Sequence, residues 1–87
     1  MFFVYVLFSK KDSKLYIGFT NNLKRRYKEH QQGLVISTKN RLPLNLVYYE
    51  TYTSKKDAAE REQKLKQFSG IMTHLRNRLK NSIMLFK

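Results

Sequence analysis

Seven residues near the start of the chain, Phe2-Phe3-Val4-Tyr5-Val6-Leu7-Phe8, are apolar or aromatic without interruption. A strand exposed on one face alternates polar with apolar residues, whereas an unbroken run needs cover on both faces. The run is far shorter than the ~20 residues a membrane-crossing helix requires. Ser9-Lys10-Lys11-Asp12 follows it, where a secretory signal would carry small residues. The run therefore predicts a strand over about 2–8 that is buried on both faces, and a soluble protein.

The 87 residues make one domain, 1–87, with a small core. There is no cysteine, hence no disulfide framework and no thiolate metal site, which fits a reducing cytoplasmic setting. Eighteen Lys and Arg oppose six Asp and Glu, a net charge of +12. The basic residues are spread along the chain rather than gathered in a tail, so the charge belongs to the folded domain. Together with six Phe and six Tyr, it points to a nucleic-acid partner, because clustered cations gain affinity by releasing counterions. An anionic membrane surface or simple solubility is the plainer account.

Lys10–Lys14 reads as a hairpin loop. A second strand is expected over about 14–18, stopping at Gly18. Asn21 or Asn22 can cap a helix over about 22–32, with Leu23 and Tyr27 facing the core and Gly33 as its C′ residue. A polar loop over 34–44 leads to a third strand at about 45–52, rich in β-formers. Ser54-Lys55-Lys56-Asp57 has capping-box spacing and opens a helix to about Phe68. Ser69-Gly70 is expected to break the pattern, and a last helix over about 71–81 carries Ile71, Leu75 and Leu79 on one stripe. The fold class that follows is α+β: a three-stranded, mostly antiparallel sheet flanked by about three helices.

Arg26 and His30 are four apart on the first helix, beside Leu23 and Tyr27, which predicts that both sit at the rim of the core. An Arg there binds phosphate bidentately, and a His there moves a proton near neutral pH. A basic amphipathic helix with no site is the bland alternative. On the second helix, with Ala58 at 0°, Ala59 falls at about 100°, Leu65 at about 340° and Phe68 at about 280°. Glu62 then falls at about 40°, inside the apolar arc, and Glu60 at about 200°, outside it. A carboxylate on a packing face needs a partner, either Lys66 one turn on or a divalent cation. Tyr5 and Tyr16 could present their hydroxyls on one sheet face, depending on a register that sequence leaves open. There is no Gly-rich phosphate loop, zinc helix or serine nucleophile elbow, and His74 reads as a surface residue.

The ordered set of these segments resembles the GIY-YIG nuclease domain across nearly the whole chain. Val4-Tyr5-Val6 stands where the family has Gly-Ile-Tyr, and Tyr16-Ile17-Gly18 matches the second motif. Asn22-Leu23-Lys24-Arg25-Arg26 is similar to Asn/Asp-Leu-x-x-Arg, His30-Gln31-Gln32-Gly33 to His-Asn-x-Gly, and Arg61-Glu62 through Lys66 to Arg-Glu-x-x-x-Lys. The usual Gly- and Arg-rich tract after Phe68 is replaced by Ser69–His74.

The resemblance implies a metal-dependent DNA endonuclease. Glu62 would be the one protein ligand to Mg²⁺ or Mn²⁺ and Arg26 the phosphate-binding catalytic residue. Tyr5 or Tyr16 would serve as base or proton relay, and His30 would orient a tyrosine or pass its proton on. Which tyrosine is the base stays open at this stage. The alternative is a non-catalytic nucleic-acid-binding module of the same fold, with RNA a weaker candidate partner than DNA.

Overall fold

The computed structural model describes all 87 residues, Met1–Lys87. In chain order the elements are β1 (Phe2–Ser9), β2 (Leu15–Thr20), α1 (Leu23–Gln31), β3 (Leu44–Tyr52), α2 (Lys55–Gln67), α3 (Ser69–Arg78) and α4 (Lys80–Met84). The sheet order is β2-β1-β3, and both pairings are antiparallel. The apolar run is thus the middle strand, and every residue from Val4 to Ser9 is buried.

Alternation along β1 divides the core in two. Val4, Val6 and Phe8 pack with Ala58 and Leu65 of α2, Leu75 of α3, and Leu79 and Ile83 beyond it. Tyr5 and Leu7 point the other way, joining Leu44 with Leu23 and Tyr27 of α1 packed against them. The continuous run is needed because each face has its own helical cover.

Local signals set both ends of α1 and the start of α2. Asn22 Oδ1 accepts a hydrogen bond from the Arg25 N–H at 3.0 Å, and Ser54 Oγ accepts one from the Asp57 N–H at 3.3 Å. Gly33 closes α1 with φ +74°. Its N–H donates to the His30 carbonyl at 3.1 Å and that of Leu34 to the Glu29 carbonyl at 3.0 Å, a Schellman ending. The nearest contact of an added Cβ there is Leu42 Cδ1 at 3.5 Å, so the backbone angle alone penalises a side chain. Gly33→Ala is therefore expected to lower stability by about 1 kcal/mol in a urea titration, with no change of fold.

Three expectations are corrected. β2 does not stop at Gly18 but continues to Thr20. Gly18 is there for space, because it pairs with Tyr5 and that ring lies across it. Ser69-Gly70 does not break the helical pattern either: the break is Phe68, extended at φ −111°, ψ 101°, and the two residues open α3. Phe68 lies outside the core for the same reason, 54% exposed. The expected last helix is two helices, divided at Leu79 (φ −99°, ψ 4°), which makes four helices in all; the expected α+β fold with a three-stranded antiparallel sheet stands.

Candidate active site

β1 and β2 bring the two tyrosines together. Tyr5 pairs with Gly18 and Leu7 with Tyr16, so Tyr5 and Tyr16 share the face covered by α1. Their ring centroids are 6.4 Å apart. His30, from the last turn of α1, stands edge-on to both, 5.6 Å from the Tyr5 ring and 5.2 Å from the Tyr16 ring. The Tyr5 hydroxyl meets His30 Nε2 at 2.8 Å, and His30 Nδ1 meets Thr38 Oγ1 at 2.8 Å. A neutral imidazole carries one N–H, so the ring donates one of these two hydrogen bonds and accepts the other.

His30 is therefore not at the rim as its helical position suggested. It is fully buried, as is Thr38. Helical spacing missed this because the cover comes from two tyrosines of the sheet and from the 34–43 loop, not from the helix itself. Burial, and after it the positive Arg26, push the imidazole down to about 4, with Glu29 opposing in part. It is neutral at physiological pH. An unfolded chain takes up a proton near pH 6.5 that the folded chain refuses until about 4. Stability is thus complete above pH 6.5 and falls as pH drops from 6.5 to 4, by up to about 3 kcal/mol. Urea midpoints at pH 7 and pH 4.5 should record that fall, and His30→Gln should flatten it.

Burial also raises the Tyr5 phenol, to about 12, with Tyr16 and Glu62 adding to the rise and Arg26 opposing it. With the phenol pushed up to about 12 and the imidazole down to about 4, both groups stay neutral at physiological pH. The Tyr5–His30–Thr38 chain is a neutral scaffold, not a charged relay. Tyr16 differs: it is only partly buried, and its hydroxyl accepts a long hydrogen bond from Ser37 Oγ at 3.4 Å.

Arg26 is at the rim as expected, with its side chain 36% exposed and an ion pair to Glu29 at 3.2 Å. It lines a cleft of about 310 Å³ with Phe2, Phe19, Thr20, Asn21, Arg25 and Lys55. Glu62 comes from α2, which covers the opposite face of the sheet. Lys55, Ala59, Glu62 and Lys66 form one stripe along that helix, two turns separating Lys55 from Glu62. Lys55, at the near end of the stripe, lines the Arg26 cleft, whereas Glu62, two turns further on, is not among the residues that line it. Glu62 is 20% exposed and pairs with Lys66 at 3.3 Å, so the i,i+4 partner foreseen for it is present. No three His, Cys, Asp or Glu side chains gather as a metal cage. Glu62 offers one hard oxygen donor, which suits Mg²⁺ or Mn²⁺ with a shell otherwise of water and phosphate. His74 is exposed, as read.

Sequence reasoning missed a second polar cluster. Glu50 of β3 accepts from the Tyr48 and Tyr52 hydroxyls at 2.7 and 2.6 Å, and from Nε and Nη2 of Arg61 at 2.9 and 3.0 Å. Burial alone would raise its carboxyl, but Arg61 and the two phenols outweigh that and hold it below the usual range. The period-two spacing of Tyr48, Glu50 and Tyr52 was the available signal. The cluster ties α2 to β3 one residue before Glu62.

The structure is a basic α+β domain with two tyrosines and a buried histidine on one sheet face and an arginine at a cationic cleft. The chain belongs to the GIY-YIG catalytic domain family, whose pattern matches residues 1–76. It is 41% identical over 70 residues to a UPF0213 protein of Clostridium perfringens, covering 79% of this chain and 74% of that one. A UPF0213 protein of Staphylococcus haemolyticus is 41% identical over 68 residues, 77% and 82% of the two chains. The solution NMR structure of a UPF0213 protein from Bacillus halodurans superposes with a TM-score of 0.57 at 33% identity, covering 92% of this chain and 86% of that one. Membership in a nuclease-domain family implies nucleic-acid binding in general. No helix is long and apolar enough to cross a membrane.

Proposed function

We propose that the domain hydrolyses phosphodiester bonds of DNA with the help of Mg²⁺ or Mn²⁺. The observation that carries this reading is the grouping of Tyr5, Tyr16 and His30 on one sheet face beside Arg26. Arg26 binds a non-bridging phosphate oxygen and neutralises the charge that grows as water attacks phosphorus. Of the two tyrosines, Tyr16 is the one with an open side, so it accepts the water's proton while releasing its own to solvent beside Ser37. Tyr5 and His30 act by position: their hydrogen bond holds the Tyr16 ring and keeps a neutral, dry wall behind the phosphate. Glu62, now paired with Lys66, would be the carboxylate that holds the divalent ion, and the ion would supply charge stabilisation for the leaving 3′ oxygen.

The test is cleavage of supercoiled, branched and single-stranded DNA by the wild type, Arg26→Ala and Glu62→Ala in Mg²⁺, Mn²⁺ or EDTA. Metal-dependent cutting by the wild type, lost in both folded variants, supports the reading. Equal trace activity in all three overturns it and leaves the non-catalytic binding module, which the lone, ion-paired Glu62 would suit. Adding a single-stranded RNA of the same length measures the preference for DNA.

A further inference from the structure

The Arg26 cleft contains more than a single phosphate requires. Two of its walls are aromatic: the Phe2 and Phe19 rings stack at a centroid distance of 6.3 Å and an interplanar angle of 13°. Both are only half-buried, so part of this apolar surface borders the cleft. Two further cations line it besides Arg26: Arg25 from the first turn of α1 and Lys55 from the first turn of α2. Both are exposed, and neither takes part in any ion pair of the molecule, whereas Arg26, Arg41, Arg61 and Lys66 each have a carboxylate partner. An aromatic platform beside unpaired cations matches the two needs of an unpaired nucleotide, a surface for its base and a counter-charge for its phosphate. A base held in a duplex offers no free face to such a platform.

We propose that this cleft is a subsite for a single-stranded DNA nucleotide next to the phosphate on Arg26. Its base rests against the Phe2–Phe19 pair and its phosphate contacts Arg25 and Lys55. The inference rests on the nuclease reading and adds a substrate class to it: strands with an unpaired segment beside the cut. The cleft volume of about 310 Å³ suits one nucleotide rather than a length of duplex.

Binding in EDTA tests this apart from catalysis. Fluorescence anisotropy would compare an oligothymidylate with an abasic strand of equal length and charge. The wild type should hold the oligothymidylate about tenfold more tightly, and Phe19→Leu, which keeps an apolar side chain in place, should remove most of that preference. A thymidine strand carrying one 2-aminopurine should lose fluorescence on the wild type as the base stacks, a readout that needs no variant. Arg25→Ala with Lys55→Ala should weaken both strands alike and flatten the salt dependence by about 1.4 in log–log slope. Equal wild-type affinity for the two strands, an unquenched probe, or a full preference in folded Phe19→Leu overturns the stacking platform. An unchanged salt slope in the double variant overturns the phosphate contacts. Metal-dependent cutting that persists beside such failures would leave the nuclease reading standing and remove only the subsite.

Discussion

Gly18→Ala is expected to cost at least about 3 kcal/mol of folding stability, a large share of the 5–15 kcal/mol a domain of this kind has. The new Cβ would lie 2.2 Å from Tyr5 Cζ, 2.3 Å from its hydroxyl oxygen and 2.7 Å from Cε1, far inside van der Waals contact. Tyr5 cannot easily swing aside. It sits on the central strand, 1% exposed, with its hydroxyl on His30 at 2.8 Å. If the ring moves, His30 Nε2 loses its partner in a buried setting, which adds about 1–3 kcal/mol. The melting temperature should fall by about 12 °C or more, taking 4–8 °C per kcal/mol for a domain of this size. Tyr5→Leu in the same chain should recover part of the loss, because it removes the ring that clashes. A Gly18→Ala loss below about 1 kcal/mol in urea would show that the ring accommodates the methyl group.

Arg26→Ala is expected to lower DNA cleavage by about 10²–10³-fold while leaving the fold intact, the range found when one preorganised donor to transition-state charge is removed. Its side chain is 36% exposed and its only ion pair is a surface one with Glu29, worth less than about 1 kcal/mol. The deficit should therefore appear in single-turnover rates, not in melting curves. Arg26→Lys should recover only part of the rate, since lysine keeps the charge but not the planar fork that grips two phosphate oxygens. Cleavage by folded Arg26→Ala at the wild-type rate would remove Arg26 from the chemistry. Glu62→Ala gives a complementary result: a rate loss that added metal only partly restores.

The features that were legible before the structure are those written over a few neighbouring residues. The unbroken run Phe2–Phe8 predicted a strand covered on both sides because two-sided burial leaves no place for alternation; that it is the middle strand came from the structure. Asn22, Gly33 and Ser54 marked helix ends because caps involve groups three or four residues apart. Glu62 fell on the packing arc because helical geometry is local, and its side chain is indeed mostly covered.

Where residues act across the fold, reading the chain fell short. Gly18 looked like a stop signal, but its reason is a ring on the neighbouring strand. His30 looked like a rim residue because its own helix says nothing of the Thr38 loop or of the tyrosines that bury it. The division of the tyrosines into a buried Tyr5 and an open Tyr16 needed both the register of β1 on β2 and the position of α1. The Glu50–Arg61 fork joins residues eleven apart on different elements, and no helical or strand period connects them.

The sequence by itself determined that this chain builds a doubly covered β1, caps the starts of α1 and α2 and the end of α1, carries a large positive charge and belongs among GIY-YIG domains. Those properties depend on side-chain type and short-range spacing, which the order of residues states directly. The tertiary structure alone decided which groups share an environment: a histidine made neutral by burial, a phenol raised beside it, a second phenol left open, and Arg26 gathered with Lys55 at one cleft. Protonation and electrostatic reach depend on distance and solvent exclusion, and both arise only when segments remote in the chain pack together.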